Sequence, residues 1–126
     1  MTPNAQARSG YAAAASPVRT ARGTEYAVFA QVTRRMSAVD ETDRAAFPRL
    51  AQAVLDNQRL WGTLADDLML DANALPVPLR AQLVSLAGFV QRHSLAVLGG
   101  RASMAPLVDI NTAIMKGLRG SAEAAA

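Results

Sequence analysis

The chain has 126 residues and carries 12 arginines and one lysine against 10 acids, a net charge of +3 with no cysteine. That length supports one domain with a modest core. The absence of cysteine excludes a disulfide framework or thiolate metal site, and points to a reducing compartment. Charge is segregated along the chain: residues 1–39 hold five arginines and one acid, residues 40–71 seven acids and three arginines, and residues 72–126 five basic groups and two acids. Such blocks suit helices paired by charge or a complementary protein partner better than a phosphate-binding stripe, so DNA is not an expected partner. No stretch has the apolar length of a membrane span, and no compact apolar block leads to a cleavage site near the start.

Residues 1–15 are alanine-rich, and Gly10 makes any helix there short and marginal. Ser16-Pro17 reads as a helix start or a linker. A firm helix is expected from about Gly23-Thr24, with Tyr26, Phe29, Val32, Met36 and Val39 on one face at steps of three and four. Arg34 and Arg35 point away from that face. Asp40 to Asp43 forms a polar turn, and Phe47-Pro48 lets the next helix open with proline in its first turn.

The next helix should run from about residue 47 to 70, with Phe47, Leu50, Val54, Asn57, Trp61, Leu64 and Leu68 along its seam. Asn57 is in line with core residues, so a buried amide there needs hydrogen-bond partners. Trp61 is read first as core. Asp71 to Pro78 is a loop containing Leu75 and Pro76, because its two prolines exclude a helical ladder until Pro78 serves a first turn. A further helix covers about 77–98, with a seam of Leu79, Leu83, Leu86, Val90, His93 and Val97, and Gly99-Gly100 stops it. The last helix is capped by Ser103, starts around Pro106 and frays beyond Leu118. Its apolar face is Leu107, Ile110, Ile114 and Leu118.

The chain is therefore expected to be all-α, a compact bundle of four main helices with room for a short N-terminal fifth, forming a single helical domain over 1–126. Residues 11–118 are its ordered part and residues 1–10 and 119–126 are expected to be flexible. Catalytic, cofactor-binding and metal sites are not expected. His93 is the one candidate base and reads as a hydrogen-bonded core residue; Asp67 and Asp71, one helical turn apart, read as a solvated face. The last helix offers the sharpest functional signal. Leu107, Val108, Ile110, Ile114 and Met115 nearly encircle it and leave Asp109 and Asn111 as polar breaks, which suggests two neighbours for one helix.

Taken in order, Tyr11, Thr24-Glu-Tyr-Ala-Val-Phe29, Asn57-Gln-Arg-Leu-Trp61, Asn73-Ala-Leu-Pro76, Leu79-Arg80-Ala81, Ser85-Leu86, His93 and Pro106-Leu-Val-Asp-Ile-Asn111 resemble the flagellin biosynthesis regulator family FlaF. The resemblance covers roughly residues 11–118. It implies a non-catalytic, cytoplasmic helical protein that acts on flagellin, alongside the regulator FlbT, in flagellin synthesis, export and flagellum assembly. Physical reasoning permits a chaperone-like mechanism, because a groove in a bundle can cover an amphipathic flagellin helix. The expected groove joins the last helix, through Leu107, Val108, Asp109, Asn111, Ile114 and Met115, to the surface of the helix before it. Asn57, Trp61, Leu75, Pro76, Leu79, Leu83 and His93 are the expected structural framework. The runner-up is an RNA-binding regulator of flagellin expression, disfavoured by the single lysine and the lack of a basic helix face. A client-free oligomer of helices comes third.

Overall fold

The computed structural model describes the backbone of residues 17–125 and the side chains of residues 26–117. The expected helix at residues 1–15, the Ser16 cap and the Leu118 side chain lie outside the described residues. Four α-helices follow one another: α1 (Pro17–Ser37), α2 (Phe47–Leu68), α3 (Val77–Leu98) and α4 (Ala105–Ala125), with a 3-10 turn at Arg44–Ala46 before α2. No strand occurs among the described residues, and the class is all-α. Two ends depart from expectation. Helix α1 opens at Pro17, the start that Ser16-Pro17 allows, ahead of the firm start expected at Gly23-Thr24, because proline suits a first turn and one interior glycine costs only about 1 kcal/mol against a helix anchored by packing. Helix α4 continues past residue 118 to Ala125, through a segment rich in alanine, the strongest helix former.

The connections show why the helices stop where they do. In the first, Asp40 Oδ1 accepts from the Thr42 hydroxyl at 2.6 Å and from its backbone N–H at 2.9 Å. These two bonds, the hydroxyl's first, hold the Asp40 carboxyl below the ordinary aspartate range. Asp43 then caps the 3-10 turn through Ala45 N at 3.0 Å. Between α2 and α3, Arg80 folds back to donate to Leu68 O at 2.8 and 3.1 Å and to Leu70 O at 3.2 Å, satisfying carbonyls that the end of α2 leaves open. Asn73 braces the same turn through Asp67 Oδ2 at 2.9 Å and Leu75 N at 3.0 Å. Helix α3 closes in a Schellman motif: Gly100 takes φ 75°, Arg101 N bonds to Ala96 O at 2.8 Å and Gly100 N to Val97 O at 3.0 Å. Helix α4 receives a cap from across the bundle, where Glu41 Oε1 accepts from Met104 N at 2.8 Å.

The helices form two antiparallel pairs. Helix α1 packs along α4, and α2 along α3; α1 and α2 join the pairs, while α3 and α4 barely meet. The core between them is built from Phe29, Val32 and Met36 of α1, Leu50, Val54 and Trp61 of α2, Val90 and Val97 of α3, and Leu107 of α4. Trp61 is fully buried and meets Phe29 edge to face, with ring centroids 5.8 Å apart at 88°. The segregated charges yield one small surface cluster among the described residues, in which Asp56 faces Arg35 at 3.5 Å and Arg59 at 3.8 Å. Exposed pairs of this kind contribute little.

Candidate partner surface

A polar residue amid aliphatic ones on α4 must either meet water or find partners inside. Asn111 finds partners. It is fully buried, and its carboxamide links three helices: Oδ1 accepts from Trp61 Nε1 at 2.9 Å, and Nδ2 donates to Asn57 Oδ1 at 2.8 Å and to Thr33 Oγ1 at 3.1 Å. The Thr33 hydroxyl donates to Phe29 O at 2.6 Å, which leaves its oxygen free to accept. The Asn111 oxygen and both its Nδ2 hydrogens are thus engaged, and among the buried side-chain polar atoms of the described residues only Asn57 Nδ2 has no partner.

This corrects the expected binding set on α4. Leu107 and Asn111 belong to the interior, because the stripe they share faces α1 and α2. Val108, Ile114 and Met115 are half-buried against the same core, and Asp109 alone is exposed. The two helices of the expected groove meet at few points, since α4 follows α1 and leaves α3 largely aside.

Within the expected framework, Asn57 and Trp61 are core, and Leu75 and Leu83 are half-buried. Pro76 is exposed at the N-cap of α3, where its carbonyl accepts from Arg80 N at 2.9 Å. Phe47, Leu79 and His93 depart from their expected seams. Phe47 and Leu79 are exposed, and the buried line of α3 runs through Ala87, Val90, Ser94 and Val97. Small Ala87 and Ser94 let α3 settle close to α2, with Ser94 Oγ satisfied by Val90 O at 2.6 Å. His93 is rotated to the flank. Its Nε2 donates to Ser103 O at 2.8 Å, which fixes the tautomer, and its ring stacks on Phe89 at 5.3 Å.

Two open, largely apolar depressions occur among the described residues, one between α1 and α4, where Met115 meets Tyr26, Ala30 and Ala38, and one on α3. On α3, Ala81, Gln82, Ser85, Leu86 and Phe89 line a shallow, open and largely apolar depression, with Leu86 half-buried at its inner edge. Ser85, Gly88, Arg92 and Leu95 follow Ala81 along one outward line, and Leu95 is 60% exposed. The helix carries no Asp or Glu, and Arg92 has no ion pair among the described residues. The sequence held a signal for this side: α3 is apolar nearly all round, yet only one long neighbour covers it.

Among the described residues no group of metal-ligating side chains gathers, and no helix is long and apolar enough to cross a membrane. Residues 7–118 match the family described as flagellar protein FlaF. The chain belongs to the FlaF family. No curated protein and no solved structure shows significant similarity to it. This FlaF-family chain is a helical scaffold with a polar lock inside and open apolar depressions on its surface.

Proposed function

We propose that this FlaF-family protein is a non-catalytic, chaperone-like adaptor that binds flagellin in the cytoplasm and supports its synthesis and export, with FlbT as a further partner in the same regulation. One observation supports the reading beyond the family: α3 leaves a largely apolar depression open and exposes Phe89 and Leu95. An amphipathic helix placed there would bury its apolar stripe, as in other helix-in-groove complexes. Flagellin has such helices at its ends, and covering one in the cytoplasm would hold back premature polymerisation.

The test is a calorimetric titration of monomeric flagellin into the purified protein, with full-length flagellin compared with flagellin lacking its terminal helices, and circular dichroism on the same samples. Saturable one-to-one binding that disappears on truncation is the expected outcome. A folded protein that ignores full-length flagellin sinks the direct-client reading.

A further inference from the structure

We infer that the client helix docks lengthwise on the outer side of α3, between Phe89 and Leu95, and places a carboxylate beside Arg92. The inference rests on the flagellin reading and assigns it a face and a chemistry. Two observations support it. Phe89 and Leu95 are large apolar side chains held in solvent on a helix whose opposite side is already packed on α2, so burying them requires a second chain. The same helix contains no Asp or Glu, and Arg92 stands without an ion pair among the described residues, so the charge this side lacks is negative. An arginine beside apolar contacts gains most from a carboxylate that the partner brings and desolvates with it.

Gly88 makes the face testable. It lies on the outward line between Ser85 and Arg92, and a Cβ built there meets only Arg92 Nη1, at 3.3 Å, the movable end of a side chain. The bundle itself therefore has no use for a bare backbone at this point, and a larger residue would project into the space where the client helix is placed. Gly88→Leu should leave the fold intact, because leucine is the better helix former.

The experiment titrates monomeric full-length flagellin into the wild-type chain and into Gly88→Leu, Arg92→Glu and Asp109→Ala, following heat and melting temperature. Gly88→Leu is expected to melt at or above the wild-type temperature and to bind at least about tenfold more weakly, a combination that a purely structural role cannot produce. Arg92→Glu is expected to lose about tenfold at low salt, with the gap narrowing as salt screens the pair. If Gly88→Leu fails to fold, Arg92→Glu and its salt dependence decide the matter. Wild-type binding that both α3 variants retain overturns this face while leaving the flagellin reading standing, and loss on Asp109→Ala instead moves the client to α4. A wild type that does not bind takes both down.

Discussion

Asn111 shows how a single amide can be mistaken for a surface feature. Its partners Trp61, Asn57 and Thr33 lie 50, 54 and 78 residues away in the chain, so nothing near it in sequence shows that the side chain is already engaged. Replacing it by alanine strands the indole N–H and removes the acceptor and donor that lock α4 to α1 and α2. Asn111→Ala should therefore cost about 3 kcal/mol in urea unfolding, the sum of a lost buried partner and a small cavity. Unchanged stability with lost flagellin binding would restore the surface reading. Trp61 was legible, because a large aromatic in a seam has few places to go except the core. Asn57 was half legible: its seam position announced a buried amide in search of a partner, but periodicity carries no information on which distant residue answers.

At the level of the element, α2 was readable almost in full, since one clean stripe separates its buried and exposed sides. Helix α3 was readable in its bounds, which the Pro78 start and Gly99-Gly100 stop define, but not in its orientation. Apolar residues surround it, so a line through Leu79 and His93 fits the three-four spacing as well as the true line through Ala87 and Ser94. Close packing on α2 decided between them by favouring the small residues. The end of α3 offers a direct check. Gly100 holds φ 75°, a left-handed conformation that costs a residue with a Cβ roughly 1–2 kcal/mol. Gly100→Ala should lower stability by about 1 kcal/mol and reduce the melting temperature by several degrees, with the helix content unchanged. A variant as stable as wild type would mean that the Schellman turn is not held as described.

On the scale of the molecule, the all-α class and four-helix count followed from periodicity and from proline and glycine punctuation. The pairing did not, because charge blocks and apolar stripes are compatible with several neighbour orders. The observed order joins α1 to α4, with Leu107 fully buried between the pairs. Leu107→Ala should cost about 2–5 kcal/mol, and hydrogen exchange should quicken in α1 as much as in α4. Faster exchange confined to α4 would show that the two helices do not open as one unit. The same pairing has a consequence for synthesis. Helix α1 leaves the ribosome well before α4 exists, and although Trp61 of α2 can cover Phe29, its longest partner arrives only with Leu107 and Asn111. The fold therefore closes only once α4 has emerged, and until then its earliest described helix is incompletely covered and the part most in need of protection from aggregation.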